Sequence, residues 1–247
     1  MPGTFVDTEK KIKLFALPYA GGSAAAFYKW KAHMNSHIDF IPVELAGRGK
    51  RISEKHYGNL ENAVDDLYNI ISKQVSDSAF ALFGHSMGCL LIHELIKRMK
   101  EMNHRMPQHL FFSGKGAIQI KREDEKIYHK MPDDEFRKEI VNLGGTPPEF
   151  FDHPELMELF LPLMKSDFAI AEAPIDFEKF EPIDLDITVF NGKEDDLDSE
   201  QHEGWKFYTT GGCHLYMYEG DHFFLNHKLG DMAKIINSRL SNLLTVP

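Results

Sequence analysis

The chain has 247 residues, 43% of them hydrophobic, with 19 Phe and only two Cys. This composition allows one domain with a large core, and it excludes a disordered chain or a disulfide scaffold. The formal net charge of −10 argues against nucleic acid or an anionic membrane as partner, and no apolar run approaches the length of a membrane span.

Short apolar runs of strand length alternate with helical patterns along most of the chain. Strands are predicted at residues 12–17, 40–45, 78–83, 109–114, 187–191 and 214–218. Helices are predicted to start after the caps Ser23 and Asn59, to follow residue 88, and to cover 225–240. Pro42 suggests an edge or strand-end position for the second strand. This alternation predicts the α/β class, with a mostly parallel sheet and helices on both faces.

The alternation stops between about residues 115 and 180, where the pattern is helical and charged. One helix is predicted over 132–143, ended by Gly144 and Gly145. Another is predicted over 154–171, where we expect Pro162 to kink or split it. We therefore expect a single domain, residues 1–247, whose helical insertion at about 115–180 forms a lid.

Gly84-His85-Ser86-Met87-Gly88 is the most informative stretch of the chain. A strand-like run precedes it and a helical run follows it, which is the context of a nucleophile elbow. In such a turn only glycine fits on both sides of the serine, and the hydroxyl is held out above the edge of the sheet. Ser86 is therefore the candidate nucleophile.

A serine nucleophile needs a base, and an acid that holds the base in the correct tautomer. In sheets of this class, both follow later strands in the chain order Ser, Asp, His. His222 comes just after the last strand and is the candidate base. Asp195 lies three residues after Gly192 and is the preferred acid, ahead of Asp196. More remote choices are Glu194 and Asp198 for the acid and His202 for the base.

Transition-state charge requires hydrogen-bond donors as well. The backbone N–H of Met87 starts the helix after the serine and gains from the helix dipole. A second donor is expected from the glycine-rich loop after the first strand, where Ala20 is favoured and Gly21 is the alternative. The sequence has no H-E-x-x-H, C-x-x-C, P-loop or dinucleotide fingerprint, so we expect neither a metal nor a cofactor.

Residues 17–24 and the elbow together resemble the type II thioesterases of nonribosomal peptide and polyketide assembly lines. Residues 45–49 are similar to the family's Pro-Gly-Arg-Gly segment, with Ala46 in place of proline. Residues 143–147 and 161–168 also resemble family segments, although Lys165 replaces the usual arginine. Tyr19 stands where many members have histidine. The resemblance extends over about residues 10–240.

The resemblance implies a stand-alone α/β-hydrolase that frees stalled acyl groups from the phosphopantetheine arm of carrier domains. It implies Ser86 as nucleophile, His222 as base and Asp195 as its orienting acid, with Met87 and Ala20 as oxyanion donors. Phosphopantetheine would enter only as part of the substrate. Three alternatives remain: an esterase or lipase acting on small esters or acyl-CoA, an acyltransferase, and a binding protein without activity.

The partners implied are acyl or peptidyl carrier domains, met transiently by a monomer. The cysteine usage and the absence of a recognisable secretory leader favour the cytoplasm. Carrier domains are usually acidic, as this chain is, so we expect docking to be weak or locally patterned. Two basic clusters are candidates for docking: Arg48, Lys50 and Arg51, and Lys115, Lys121 and Arg122.

Overall fold

The structure, a computed structural model, describes residues 11–75, 78–121, 126–145, 153–177 and 180–245. Its strands are β1 (Ile12–Leu17), β2 (Ile38–Pro42), β3 (Phe80–His85), β4 (Leu110–Ser113), β5 (Ile187–Gly192) and β6 (Cys213–Tyr218). They form one sheet in the order β2-β1-β3-β4-β5-β6, in which every neighbouring pair is parallel. The predicted parallel sheet is confirmed, and so is the edge position of the strand that carries Pro42.

Six α-helices are seen in the described residues. They are α1 (Leu60–Ser72), α2 (Met87–Glu101), α3 (Asp133–Leu143), α4 (Pro154–Ala171), α5 (Ser199–Glu203) and α6 (Leu225–Thr245). Asn59 caps α1 as predicted, because its side chain accepts a hydrogen bond from Asn62 N–H at 2.8 Å. The segment that Ser23 caps, Ala24–His33, is a 3₁₀ helix.

The sheet is covered on both faces, so its inner strands are buried along their whole length. On one face, Phe15 and Leu82 belong to the core cluster that includes the apolar residues of α1 and α2. On the other face, Leu14 and Phe83 pack in a second cluster with residues of α6 and the 3₁₀ helix Ala24–His33. The strand β6 is the second edge, and none of its residues is fully buried.

The insertion has a small core of its own. Phe136 and Ile140 of α3 pack with three residues of α4: Met157, Leu161 and Met164. No strand occurs in the described residues between 115 and 180, as predicted. Gly144 ends α3 with φ +75°, also as predicted. The helix α4 runs through Pro162 as one element, so the proline does not split it.

Two further predictions need correction or remain open. The predicted strand 40–45 ends too late, because the pairing of β2 with β1 runs from Ile38 to Pro42. Three residues used in the sequence analysis, Arg122, Thr146 and Pro147, lie outside the described residues.

No described helix has both the length and the apolar character needed to cross a bilayer.

A buried histidine on α2 should make folding stability depend on pH. His93 lies in the core beside Tyr208, whose hydroxyl is 2.9 Å from Nδ1 of His93. Burial, reinforced by the charge of Lys97, lowers the pKa of His93 from 6.5 to about 4. The unfolded chain therefore binds one proton more between these values, and the free energy of unfolding falls as pH decreases through this window, by ~1.4 kcal/mol per pH unit.

We expect His93→Gln to remove about 2 kcal/mol of the stability loss between about pH 7 and about pH 5. Urea unfolding of both proteins at the two pH values measures this difference. His227→Gln, at an exposed position of α6, is the control and should lose stability as the unsubstituted protein does. Equal losses in all three proteins would contradict the assignment to His93.

Candidate active site

Ser86 lies between β3 and α2 with a strained backbone. Its φ of +53° and ψ of −112° fall in a region that residues other than glycine rarely adopt. The Ser86 N–H donates to Ser113 O at 2.8 Å, and Ser86 O accepts from Cys89 N–H at 2.9 Å. These bonds hold the turn at the carboxyl end of the central strands. The predicted elbow geometry is therefore confirmed.

The two glycines of the elbow are required by close backbone contacts. A Cβ on Gly84 would lie 2.4 Å from the carbonyl oxygen of Gly88. A Cβ on Gly88 would lie 2.4 Å from the carbonyl oxygen of Leu17, on β1. Real Cβ atoms do not come this close to backbone atoms. The prediction that only glycine fits on both sides of the serine is confirmed.

His222 and Asp195 come together, although 27 positions separate them in the chain. Nδ1 of His222 is 2.9 Å from Oδ2 of Asp195, whose side chain is only 8% exposed. An ionised carboxylate can only accept, so Nδ1–H is the donor and Nε2 is left with a free lone pair. Asp196 is exposed to solvent beside it. The geometry favours Asp195 over Asp196 as the partner of the histidine.

Backbone contacts join the loops that carry these two residues. Lys193 N–H donates to Tyr218 O at 2.8 Å, and Glu194 N–H donates to Gly220 O at 3.1 Å. A Cβ on Gly192 would lie 2.4 Å from the carbonyl oxygen of Gly220, so glycine is needed for this approach. The Asp195 loop and the His222 loop therefore extend from β5 and β6 as one hydrogen-bonded unit.

The remote candidates have other structural partners. The side chain of Asp198 accepts from Gln201 N–H at 2.8 Å and caps α5. His202 Nδ1 lies 3.1 Å from the side-chain amide of Asn191. Glu194 is exposed, and Asp195 takes the position beside His222.

The candidate oxyanion donors belong to the residue after Ser86 and to the loop after β1. Met87 is the first residue of α2, so its N–H has no acceptor within the helix. Ala20 lies in a turn that the hydrogen bond from Gly22 N–H to Tyr19 O closes at 2.9 Å. Gly21 N–H already donates to Asp167 Oδ2 at 2.7 Å. Of the two candidates in this loop, Ala20 thus keeps a backbone donor for a ligand.

Ser86, Ala20, Asp195 and His222 all line one cavity of about 910 Å³. The insertion supplies much of its wall, including Met164 of α4. Among the described residues, no hydrogen bond joins the Ser86 hydroxyl to His222. In ligand-free hydrolases this contact is often long and tightens when substrate binds.

His85, next to the serine, is a packing residue and is fully buried. Its Nδ1 is 2.9 Å from the hydroxyl oxygen of Ser113, and its ring centroid is 5.1 Å from that of His222. Burial above all, and then the neighbouring His222, hold the pKa of His85 well below its usual value. His85 therefore stays neutral next to His222. A positive charge on His85 would destabilise the protonated form of His222. Tyr19 packs edge-on against the His85 ring.

One candidate docking cluster keeps only Lys50 as an exposed cation, because its two arginines are engaged in ion pairs. Arg48 is only 2% exposed and makes a bidentate ion pair with Asp167. Arg51 is bound by Glu54 and Asp66. In the sequence, Arg48 lies between two glycines and is expected at the surface. Its acidic partner, Asp167, lies 119 positions away and is not apparent from the local pattern. Of the second cluster, Lys115 and Lys121 line the cavity.

Asn191, at the carboxyl end of β5, is a buried residue near the site whose contacts the sequence did not reveal. It is fully buried, and its side-chain amide pairs with both the N–H and the C=O of Lys115 at 3.3 Å. These bonds tie the start of the insertion to the strand that precedes Asp195. A single asparagine at a strand end carries no pattern, so only the structure identifies it.

Comparisons with known proteins agree on one family. The family model of the thioesterase domain matches residues 12–240. The gramicidin S biosynthesis protein GrsT of Aneurinibacillus migulanus is 34% identical over 240 residues, which are 97% of this chain and 93% of GrsT.

Two solved structures extend this agreement to the fold. ClbQ, from the colibactin NRPS/PKS pathway, has a TM-score of 0.87 and 35% identity, covering 95% of this chain and 98% of ClbQ. YbtT, a type II thioesterase from the yersiniabactin NRPS/PKS biosynthetic pathway, has a TM-score of 0.82 and 26% identity, covering 93% and 92%. The elbow and the parallel sheet described above are those of an α/β-hydrolase. The chain therefore belongs to the thioesterase domain family and is a hydrolase that acts on thioesters.

Proposed function

We propose that the protein is a stand-alone editing thioesterase of a nonribosomal peptide or polyketide pathway. It hydrolyses aberrant or stalled acyl thioesters from the phosphopantetheine arm of carrier proteins. The observation that carries this proposal is the His222–Asp195 pair facing the cavity that contains Ser86. The family and the pathways named for GrsT, ClbQ and YbtT support the choice of substrate.

Acylation of Ser86 is the first proposed step. The Ser86 oxygen attacks the thioester carbonyl while Nε2 of His222 takes the hydroxyl proton, and Asp195 stabilises the imidazolium that forms. The N–H groups of Met87 and Ala20 donate to the oxyanion of the tetrahedral intermediate. When the C–S bond breaks, His222 returns the proton to the sulfur, and the pantetheine thiol leaves.

Deacylation repeats these steps with water. His222 removes a proton from a water molecule, whose oxygen attacks the ester carbonyl of the acyl-enzyme. The second tetrahedral intermediate collapses, the Ser86 oxygen regains the proton from His222, and a free carboxylic acid departs. This chemistry needs no cofactor or metal, and phosphopantetheine takes part only as the carrier's own arm.

The cavity suits an acyl chain that enters on a flexible arm. Its apolar lining includes Leu90 of α2, Phe168 of α4 and Ile175. The carrier domain itself would stay outside and make a transient contact, with the enzyme acting as a monomer in the cytoplasm. Lys115, Lys121 and Lys126 line the cavity, and Lys126 is paired with Glu139. Lys115 and Lys121 are our candidates for contact with the arm's phosphate or an acidic carrier surface.

The acid of the triad can be tested by separate substitution of two adjacent aspartates. We expect Asp195→Asn to lower kcat by about 10³–10⁴-fold on an acyl-carrier thioester, because the wrong tautomer of His222 is then held. Ser86→Ala should abolish the acyl-enzyme. Asp196→Asn is the matched control and should keep kcat within about threefold. The proposed roles would be refuted if only Asp196→Asn reduced turnover, or if Ser86→Ala cleared carriers at the unsubstituted rate.

The substrate class can be tested with one acyl group on three leaving groups. We expect kcat/KM on the acyl-carrier to exceed that on acyl-CoA and on the free ester, because only the carrier adds protein contacts. Mass spectrometry of each substrate before and after exposure gives the rates. Equal rates on the free ester would point to an esterase, and transfer to an added alcohol would point to an acyltransferase. Failure of a fluorophosphonate to label Ser86 would favour a binding protein.

A further inference from the structure

A buried ion pair links three separate segments of the chain next to the candidate site. Arg48 Nη1 and Nη2 donate to Asp167 Oδ2 and Oδ1 at 2.6 and 2.7 Å, and both side chains are almost fully buried. Arg48 follows β2, whereas Asp167 lies on α4 in the insertion. The mechanism above assigns no role to either residue.

This pair also holds the loop after β1. The carboxylate of Asp167 accepts from Gly21 N–H at 2.7 Å, and Arg48 Nη1 donates to Gly22 O at 2.8 Å. Gly21 has φ +77°, and the turn it belongs to is closed by the bond from Gly22 N–H to Tyr19 O. The peptide units before Gly21 and after Gly22 are therefore both held by side chains from outside the loop.

Such restraint matters because an oxyanion hole stabilises the transition state only if its donors are already aimed at the developing charge. The peptide between Ala20 and Gly21 is the central unit of the turn. A turn with glycine at this position can rotate that unit at low cost, since glycine tolerates both signs of φ. The hydrogen bond to Asp167 opposes this rotation. The Ala20 N–H belongs to the preceding Tyr19–Ala20 peptide unit, so Asp167 holds it indirectly, by fixing the turn that both units share.

The two side chains before Asp167 also hold this part of α4, one to the body of the protein and one within the insertion. Ser166 Oγ donates to Tyr57 O at 2.6 Å. Lys165 Nζ donates to Met131 O at 2.8 Å, just before α3. Three consecutive residues thus connect α4 to three different segments. A shift of α4 would carry the carboxylate away from Gly21.

We propose that Asp167 is a positioning residue for the oxyanion hole. Arg48 neutralises and orients its carboxylate. The hole is then complete only while α4 stays in contact with the loop after β1. This inference deepens the proposed function and rests on it. Asp167 does not touch the reacting atoms, and its effect passes through Gly21 to Ala20. A purely structural ion pair would instead affect folding without a selective effect on the transition state.

The test uses Asp167→Asn in the full-length protein. We expect kcat on an acyl-carrier to fall by about 10–100-fold with KM within about threefold, because ground-state binding does not use the oxyanion hole. Affinity for an acyl-pantetheine trifluoromethyl ketone, which forms a tetrahedral oxyanion on Ser86, should fall in parallel with kcat/KM. Affinity for the matching thioether, which forms none, should stay within about threefold.

Asp66→Asn is the matched control. Asp66 also accepts two hydrogen bonds from an arginine, Arg51, at 2.7 and 3.1 Å, and one from the Tyr57 hydroxyl. Among the hydrogen bonds of the described residues, none joins Asp66 to the loop after β1. Its loss should reduce the melting temperature while leaving kcat within about threefold. If Asp167→Asn does not fold, Arg48→Met with Asp167→Leu replaces it, since this pair buries no unpaired charge.

The positioning role is overturned if a folded Asp167 variant keeps the kcat of the Asp66 control, or if both inhibitors lose affinity equally. The proposed substrate can fail independently. The rate of Ser86 labelling by a fluorophosphonate also depends on the oxyanion hole and needs no carrier. A protein that is inactive on carriers but is labelled at Ser86, with the rate reduced in Asp167→Asn, would refute the substrate and retain the positioning role.

Discussion

The approach of the first turn of α2 to β1 and β3 is the constraint on which the rest of the site depends. Hydrogens alone fit at Gly84 and Gly88, because carbonyl oxygens occupy the space of a side chain. The strain at Ser86 is held by this packing and by its bond to Ser113. The serine hydroxyl and the Met87 N–H are thereby placed together, before any residue of the later strands is considered.

Two independent sets of contacts then complete the constellation. His222 and Asp195, the proposed base and acid, are positioned by the sheet, through the backbone bonds that join the loops after β5 and β6. The loop with Ala20 is positioned from the opposite side, by Arg48 and by Asp167 of the insertion. The insertion is therefore more than a cover over the cavity, because it contributes to the geometry of the reacting centre as well as to its walls.

The sequence was sufficient for features that depend on local chemistry or on chain order. The elbow follows from two glycines beside a serine, and the choice of His222 follows from its place after the last strand. The burial of Arg48 could not be predicted from local sequence. Whether a cation is buried depends on its partner, and the partner of Arg48 is distant in the chain. The helix α5 was missed because five residues carry too little periodicity, although Asp198 and Gln201 form a capping box there.

The low reactivity of the two cysteines affects how thioester hydrolysis can be measured. The Cys89 thiol is fully buried three residues after the nucleophile, and burial raises its pKa to about 12. Burial also raises the pKa of Cys213, at the start of β6. Because the thiolate is the reactive form, both sulfurs should be slow toward alkylating and disulfide-exchange dyes. Such a dye could then report the released pantetheine continuously, with little background from the folded enzyme.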